Sequence, residues 1–276
     1  MLNLSNGARK KYQDLQSYLK DLGSVIIAFS GGVDSTFLAK VAHDVLQDRM
    51  IAITITSPNI IKREVKDAIA FCKKEGISHM VNHFDTLSIP GFQENPVDRC
   101  YICKKALFQK LLEYGSTMDF DYVCDGTNVD DTSDYRPGLR ALDELQIKSP
   151  LKEVGLTKEE IRELSDYLGL SSWNKPSNAC LASRFVYGEK ITEEKLTRVE
   201  RAELLLHDLG FTQCRVRIHG DNLARIELLP DDFYRIIDND DMRNQIYTEL
   251  KQDGFDYITL DLQGYRTGSM NETLKQ

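Results

Sequence analysis

The sequence lacks the features of a membrane protein, a secreted protein or a broadly nucleic-acid-binding protein. No apolar run approaches the roughly 20 residues that span a bilayer, and the N-terminal segment has no apolar signal-peptide core. The net charge of −8 and the isoelectric point near 5.3 argue against a broad basic surface for RNA or DNA, although they leave room for a local basic pocket. We therefore expect a cytoplasmic protein that binds neither membranes nor nucleic acid.

Cysteine occurs six times. Without a signal peptide, this number is typical of cytosolic thiols or metal ligands and not of a disulfide framework. Cys100 and Cys103 form the one Cys-X-X-Cys pair of the sequence. A structural zinc site takes four ligands. Either the other ligands come from elsewhere in the chain, or the metal keeps an open coordination position. Cys72 and Cys214 lie in apolar-patterned elements, and we expect them to be core residues.

The alternation of short apolar runs with helical patterns predicts an α/β fold. The chain has 276 residues, of which 41% are hydrophobic, enough for one large domain or two smaller ones. In the first part, β-branched runs alternate with amphipathic helical patterns, which predicts a doubly wound parallel sheet. Further along, the order helix, two strands, helix, strand predicts a smaller α+β domain. We place these domains at residues 1–186 and 187–276.

The segment "AFSGGVDSTFL", residues 28–38, has the setting of a phosphate-binding loop, because it follows a buried strand and opens a helix. Gly31 and Gly32 allow a tight turn that brings backbone amides close to an anion. The N-terminus of the following helix adds its dipole and its unpaired amides. The lysine of a Walker A loop is absent, so the segment predicts a different class of ATP site.

The polar residues of this loop fit ATP bound with magnesium. The hydroxyls of Ser30 and Ser35 can donate to phosphate, whereas Asp34 is unfavourable there unless it holds a bridging Mg²⁺. The pattern Ser-Gly-Gly-X-Asp-Ser resembles the PP-loop of the N-type ATP pyrophosphatases, which include NAD and GMP synthetases, asparagine synthetase and tRNA-thiolating enzymes. The resemblance implies cleavage of ATP between its α and β phosphates, with AMP transferred to a substrate and pyrophosphate released.

Further motifs resemble one family within that superfamily, the LarE family. They are "CDGTNVDDTSDYRPGLRAL" (124–142), "NKPSNACLASRFVYG" (174–188), "RVRIHGDNLARIEL" (215–228) and "TLDLQGYRTGSMNETL" (259–274). LarE proteins are ATP-dependent sulfur transferases that help to make the nickel-pincer nucleotide cofactor of lactate racemase. The resemblance implies that a carboxylate of pyridinium-3,5-biscarboxylic acid mononucleotide is adenylated and then converted to a thiocarboxylate, with an external sulfide or other sulfur donor.

The resemblance also bears on the cysteines. In one LarE branch a single cysteine, matching Cys180, gives up its sulfur; in another, three cysteines hold a [4Fe–4S] cluster. Because the sequence has Cys100, Cys103 and Cys180, it resembles the cluster branch. Three thiolates leave one iron open to carry an extra sulfide. The alternatives are a three-cysteine zinc site with a water, unligated thiols with a sacrificial Cys180, and a fourth ligand at Cys124, which would close the open iron.

We expect arginines to bind the substrate, because guanidinium groups pair bidentately with carboxylate and phosphate. Arg215 and Arg217 alternate along one predicted strand and so share a face. With Arg184 and Arg266 they are the candidate substrate-binding residues, although a strand arginine is more often a solvated surface residue. The resemblance implies a catalytic set of Cys180, Asp34 and Arg184.

Other residues are candidates for the nucleotide and the metal. Asp131 and Asp134 could join Asp34 around Mg²⁺, and Arg136 could meet phosphate; the alternative for this loop is a capped surface turn. We expect Ser57 to lie near adenine or ribose and Lys175 to contact the leaving pyrophosphate. Glu203 and Asp232 match acidic residues that the family uses around phosphate or metal.

The main competing function is tRNA 2-thiolation, which also joins a PP-loop to three cysteines but predicts a basic RNA-binding face. An amidation of the NAD synthetase type would leave the cysteines unexplained, and a non-catalytic nucleotide- or metal-binding module would not release pyrophosphate. The LarE resemblance further implies a homo-oligomer.

Overall fold

The computed structural model describes residues 4–133, 137–176 and 179–274, with the side chains of residues 132, 133 and 273 left out. The chain divides into two compact units. The larger contains Met1–Asp85 and Cys100–Asn178, and the smaller contains Thr86–Arg99 and Ala179–Gln276. Residues 86–99 group with the smaller unit through backbone hydrogen bonds from Gly188 to Asn95 and from Ile191 to Gln93.

The larger unit is built on a parallel sheet, as the sequence predicted. Its strands are β1 (Val25–Ala28), β2 (Met50–Thr56), β3 (His79–His83) and β4 (Tyr122–Cys124). Their order is β3-β2-β1-β4, so the chain starts in the middle, builds outward and then crosses back. The crossing makes the gap between β1 and β4 a topological switch point, where ligands of such sheets bind beyond the carboxyl ends of the strands.

Helices pack around this sheet. They are α1 (Asn6–Leu22), α2 (Val33–Leu46), α3 (Lys62–Glu75), α4 (Arg99–Met118), α5 (Pro137–Glu144), α6 (Pro150–Glu153) and α7 (Lys158–Tyr167). Helix α3 ends at Gly76, which has a left-handed conformation, and α7 begins with a capping box formed by Thr157 and Glu160. Helix α2, which follows the phosphate loop, is buried along most of its length, with Phe37 and Leu38 fully buried. The loop is therefore set on a fixed base.

The smaller unit has a mixed sheet, in agreement with the predicted α+β pattern. Strands β5 (Cys214–His219) and β6 (Leu223–Leu228) are antiparallel, and β7 (Tyr257–Leu260) lies parallel to β6. The helices are α8 (Glu193–Asp208), α9 (Phe233–Ile237) and α10 (Asp240–Gln252), and Thr192 caps α8 by accepting from the Lys195 amide. Over the described residues, we find no helix that combines the length and apolarity needed to cross a membrane.

Candidate nucleotide, thiol and arginine sites

The phosphate loop runs from the end of β1 to the first turn of α2. Gly31 has a φ of +71°, in the left-handed region, and an added Cβ there would lie 3.2 Å from the Ala68 Cβ. A side chain at this position would be both strained and crowded, which explains the glycine. Gly32 is extended and precedes the first helical residue, Val33. The loop thus leads directly into the amino end of a buried helix, where free amides and the helix dipole favour an anion.

Two serine hydroxyls lie together at this loop. The Oγ atoms of Ser30 and Ser35 are 3.0 Å apart, and the Ser35 hydroxyl also lies 3.3 Å from the Gly32 carbonyl oxygen. The Gly32 amide donates to the Ser30 Oγ over 3.4 Å. Each hydroxyl can rotate toward a bound anion, so the pair is suited to donate to phosphate oxygens.

Asp34 faces a cation that the sequence did not identify. Its Oδ2 lies 2.5 Å from the Nζ of Lys158, and its Oδ1 accepts from the Asn128 side-chain amide over 3.4 Å. Lys158 is the first residue of α7, and its backbone amide donates to Asp130 over 2.7 Å. The loop without a Walker lysine therefore has a lysine beside it, supplied from much later in the chain.

Lys175 lies on the other side of Gly31. Its Nζ pairs with Glu64 at 2.6 Å and with Asp67 at 3.2 Å, and donates to the Gly31 carbonyl over 3.3 Å. The guanidinium of Arg162 donates to the carbonyl of Lys175 over 3.0 Å and so helps to fix this segment. The predicted contact of Lys175 with pyrophosphate stays a prediction.

The loop after β4 is closed by turns of its own. The Asn128 amide donates to Asp131 over 3.0 Å, and the Asp130 amide donates back to the Asn128 side chain over 2.9 Å. These turns match the alternative interpretation of the loop and leave a metal role for Asp131 as a prediction. Ser57 is buried just beyond β2. Asp134 and Arg136 lie outside the described residues, so their predicted roles stay predictions.

The cysteines fall into an accessible group and a buried group. Cys100 is exposed and Cys103 is half-buried, one turn apart at the start of α4 in the larger unit. Cys180 is exposed in the smaller unit. Among the residues described, no three histidine, cysteine or acidic side chains come together as metal ligands.

The burial of the other three cysteines bears on the alternative in which Cys124 is a fourth cluster ligand. Cys72 and Cys214 are core residues, as predicted, and burial raises the pKa of each thiol to about 12. Cys124 is fully buried in the same hydrophobic core as Cys72, and burial together with the Asp125 carboxylate raises the pKa of the Cys124 thiol far above its ordinary value. The structure therefore does not favour Cys124 as a fourth cluster ligand, because a ligand must be a reachable thiolate, and this alternative stays untested.

Arg184 and Glu203 form a buried ion pair in the smaller unit. The Arg184 side chain is 0% exposed, and its Nε and Nη2 donate to the two Glu203 oxygens over 2.8 and 2.7 Å. Burial opposes both charges, but each partner stabilises the other, so the pKa of Arg184 is raised and the pKa of Glu203 is lowered. The Val216 amide also donates to Glu203, over 3.0 Å. Because both Glu203 oxygens already have partners, the structure does not favour the metal role predicted for Glu203.

Arg215 and Arg217 are also buried. Arg217 pairs with the fully buried Glu227, and the Ser269 hydroxyl lies between them, accepting from Arg217 over 3.1 Å and donating to Glu227 over 2.8 Å. The Arg215 guanidinium stacks at 5.4 Å from the Tyr265 ring. Burial, and next the positive charge of Arg184, lower the pKa of Arg215. These arginines are thus not solvated surface residues.

The remaining predicted residues lie nearer the surface. Arg266 pairs with Asp261 at 3.1 Å and with Glu272 at 2.9 Å. Asp232 pairs with Arg235 at 3.0 Å. Neither arrangement tests the predicted role, so Arg266 as a substrate ligand and Asp232 as a metal ligand stay predictions.

Comparison with known proteins agrees with this geometry. The family model for NAD synthase matches residues 8–95, which include the phosphate loop. The pyridinium-3,5-bisthiocarboxylic acid mononucleotide synthase of Lactiplantibacillus plantarum, a LarE protein, is 38% identical over 96% of this chain and 95% of its own length. The chain belongs to the LarE family.

Other relatives cover the LarE chain to a similar extent. An uncharacterized protein of Synechocystis sp. is 44% identical over 96% of this chain and 98% of its own. An uncharacterized protein of Methanocaldococcus jannaschii is 31% identical over 97% of each chain. Both units of the LarE chain therefore recur together in these relatives.

Lys158 and Asn128 are the residues of this LarE chain that sequence reasoning missed at the nucleotide site. The one available signal was the capping box at Thr157, which fixes the first turn of α7 and hence the position of Lys158. The loop around Asn128 was predicted to lie near the nucleotide through Asp131 and Asp134, but Asn128 itself was not singled out. An ion pair between residues 34 and 158 has no local signature.

Proposed function

We propose that this protein is an ATP-dependent sulfur transferase that acts on pyridinium-3,5-biscarboxylic acid mononucleotide in the synthesis of the nickel-pincer nucleotide. The observation that carries the proposal is the 38% identity to the bisthiocarboxylic acid mononucleotide synthase across 95% of that protein. The phosphate loop at the switch point of the parallel sheet supports the use of ATP. Formation of a thiocarboxylate from a carboxylate needs such activation, because oxide is a poor leaving group.

In the first step a substrate carboxylate oxygen attacks the α-phosphorus of ATP, and pyrophosphate leaves. The loop amides and the hydroxyls of Ser30 and Ser35 bind phosphate oxygens, and Asp34 would hold Mg²⁺, which would offset phosphate charge. The ammonium of Lys158, which pairs with Asp34 beside the loop, supplies a positive charge like the one that the Walker lysine supplies in other ATP sites. In the second step a sulfur nucleophile attacks the acyl carbon, and AMP leaves with the former carboxylate oxygen.

For substrate binding we favour Arg215, because the Nε, Nη1 and Nη2 groups of Arg217 already donate to Glu227, Ser183 and Ser269. Both are buried arginines on β5, and burial with a neighbouring positive charge lowers the pKa of Arg215. A phosphate or carboxylate bound there would relieve this penalty by pairing with the guanidinium. Arg266 could contribute to the same ligand from the C-terminal segment.

For sulfur delivery we propose a [4Fe–4S] cluster held by Cys100, Cys103 and Cys180. The donor set fits, because these are the exposed or half-buried cysteines of the chain, whereas Cys72, Cys124 and Cys214 are buried. When bound, a cluster with three protein ligands supplies an open iron that can carry a sulfide.

The cluster is tested by anaerobic purification followed by iron and acid-labile sulfide analysis. We expect iron and sulfide in the wild-type protein, their loss in Cys100→Ala, and their retention in the matched core variant Cys72→Ala. Zinc in place of iron would contradict the cluster. Loss of H₂S from Cys180 in the intact mass after turnover would instead show a sacrificial cysteine.

The overall reaction is tested by pyrophosphate release from ATP with purified protein. We expect release that depends on the pyridinium dicarboxylate mononucleotide and that is abolished in Asp34→Asn. Release that depends on bulk tRNA would indicate tRNA thiolation, and release that depends on ammonia would indicate amidation. ATP binding without any release would indicate a non-catalytic module.

The proposal includes two further properties carried over from the family. We expect the protein to be a cytoplasmic homo-oligomer, and we expect an external sulfide or sulfur donor to replace the transferred sulfur. Sedimentation equilibrium of the purified protein tests the first, and multiple turnovers on added sulfide test the second.

A further inference from the structure

Cys180 combines an exposed side chain with a backbone that is anchored from several sides. It precedes a short 3-10 helix, Leu181–Arg184, and its carbonyl accepts from the Ser183 amide over 2.9 Å. The side chains of Leu181 and Ala182 are buried at 0% and 1% exposure. Phe185, the next residue, is fully buried and bridges to Ile218 of β5. The segment after the thiol is thus attached to the core of the smaller unit.

The Arg184 side chain anchors the backbone of Ala179 and Cys180. Its Nη1 donates to the carbonyl of Ala179 over 2.7 Å and lies 3.2 Å from the carbonyl of Cys180 and 2.9 Å from the Ser183 hydroxyl. Its other donors, Nε and Nη2, are directed at Glu203. The guanidinium therefore uses most of its hydrogen-bond donors inside the protein. Because the side chain is also 0% exposed, few donors are available for a ligand.

Glu203 completes the arrangement. It lies on α8, it is held by the Val216 amide of β5, and it orients the guanidinium through a bidentate pair. A helix and a strand of the smaller unit thereby fix the orientation of Arg184, and Arg184 fixes the carbonyls of Ala179 and Cys180, on either side of the Cys180 Cα.

We propose that Arg184 and Glu203 are positioning residues that hold the Cys180 backbone in place for sulfur transfer, and that Arg184 is not a ligand of the substrate. The inference rests on the proposed function for its link to sulfur transfer, but the anchoring itself depends only on the structure. It replaces the sequence-based expectation that Arg184 binds the substrate and that Glu203 binds a metal.

Hydrogen exchange followed by mass spectrometry tests the anchoring without any substrate. In Arg184→Lys the charge remains but the planar fork is lost, so we expect the amides of residues 179–185 to exchange roughly tenfold faster. The matched control is Arg201→Lys, which lies on α8 two residues before Glu203 but is 65% exposed and pairs with Asp253. This control is expected to leave the exchange of residues 179–185 unchanged.

A second variant covers the case in which Arg184→Lys does not fold. The double variant Arg184→Met with Glu203→Leu removes both charges together and leaves no unpaired buried charge. We expect it to fold and to show the same local increase in exchange. An increase that extends equally over β5 and β6 in both variants would overturn the proposal, because the pair would then support the whole unit and not the cysteine segment.

Kinetics separate positioning from substrate binding. For positioning, pyrophosphate release and KM for the pyridinium substrate should change by less than about threefold in Arg184→Lys, while thiocarboxylate formed per pyrophosphate falls about tenfold or more. A rise of about tenfold in KM without any local change in exchange would overturn the inference and make Arg184 a substrate ligand. If the wild-type protein releases no pyrophosphate with this substrate, the proposed function fails, whereas the exchange experiment still decides whether Arg184 anchors Cys180.

Discussion

Lys158 and Asp34 form an ion pair beside the phosphate loop, with 2.5 Å between Nζ and Oδ2. The two residues are the first residue of α7 and a first-turn residue of α2. Their side chains are 33% and 23% exposed, and pairs at such exposure contribute only about 0–1 kcal/mol to stability. The pair therefore contributes little to the stability of the fold, which is compatible with the role at the phosphates of ATP proposed for Lys158.

The proposed role of Lys158 at the phosphates predicts that Lys158→Gln impairs ATP use and not folding. We expect KM for ATP to rise, or pyrophosphate release to fall, about tenfold or more, since a cation beside the phosphates is lost. The melting temperature should change little. Lys152→Gln, an exposed lysine of α6, is the control and should behave as wild type. Normal ATP kinetics in Lys158→Gln together with a clear loss of stability would show that the lysine is structural.

Gly31→Ala should damage the phosphate loop beyond the cost of its backbone conformation. Gly76 is the matched control, because its φ of +68° is close to the +71° of Gly31, and no atom lies within 4 Å of an added Cβ. Gly76→Ala should therefore cost about 1–2 kcal/mol of unfolding free energy from conformation alone. Gly31→Ala should cost about 1–3 kcal/mol more, because the methyl group meets Ala68, and ATP binding should be lost. Urea unfolding and ATP titration measure both effects, and equal costs with normal binding would refute the crowding.

A hydrogen-bonded chain beneath the loop predicts a pH effect on stability. The Thr54 hydroxyl donates to the Phe29 carbonyl over 2.8 Å, so the His79 Nε2, at 2.9 Å, must be the donor to Thr54. Burial lowers the pKa of His79 below the ordinary value of 6.5. Because the folded-state pKa is lowered, neutral His79 stabilises the folded protein. This stabilisation is complete above pH 6.5 and is lost as the pH falls through the folded-state pKa.

We therefore expect the wild-type protein to lose more unfolding free energy than His79→Gln between about pH 7.5 and about pH 5, as measured by urea unfolding. His219, whose pKa is also lowered by burial and then by Arg225, contributes to both proteins and cancels in the comparison. Parallel pH profiles for the two proteins would show that His79 keeps its ordinary pKa.

The Arg217–Glu227 pair predicts a large stability effect in the smaller unit. Glu227 is fully buried, so Glu227→Gln leaves the Arg217 charge without a counter-charge and should cost about 3–5 kcal/mol. Glu272→Gln, which removes an exposed partner of Arg266, should leave the unfolding free energy nearly unchanged. Denaturant unfolding of both variants measures the two costs. A cost for Glu227→Gln as small as that of the control would mean that water reaches the pair.

The sequence predicted those features that depend on neighbouring residues. The glycines and serines of residues 30–35 are contiguous, so the phosphate loop was recognisable, and the capping box at Thr157 and Glu160 was recognisable for the same reason. The alternation of strands and helices likewise predicted the parallel sheet, which the structure confirms.

Features that join distant residues were not predictable in this way. The pair of Lys158 with Asp34 and the pair of Arg184 with Glu203 both depend on how elements pack, and neither has a spacing signal. Cys124 was a reasonable ligand candidate at a strand end, but its side chain lies in the hydrophobic core although β4 is an edge strand of the sheet. The grouping of residues 86–99 with the smaller unit depends on backbone hydrogen bonds between distant segments, and no sequence pattern predicts such bonds.

In the proposed reaction this protein replaces a carboxylate oxygen of the pyridinium mononucleotide by sulfur and consumes ATP. The most direct measurement is mass spectrometry of that nucleotide after incubation with the anaerobically purified protein, ATP, Mg²⁺ and sulfide. We expect a product in which sulfur has replaced one oxygen, formed with one AMP and one pyrophosphate per exchange. A nucleotide of unchanged mass would refute the reaction, whether ATP stays intact or pyrophosphate forms equally well in the absence of the nucleotide.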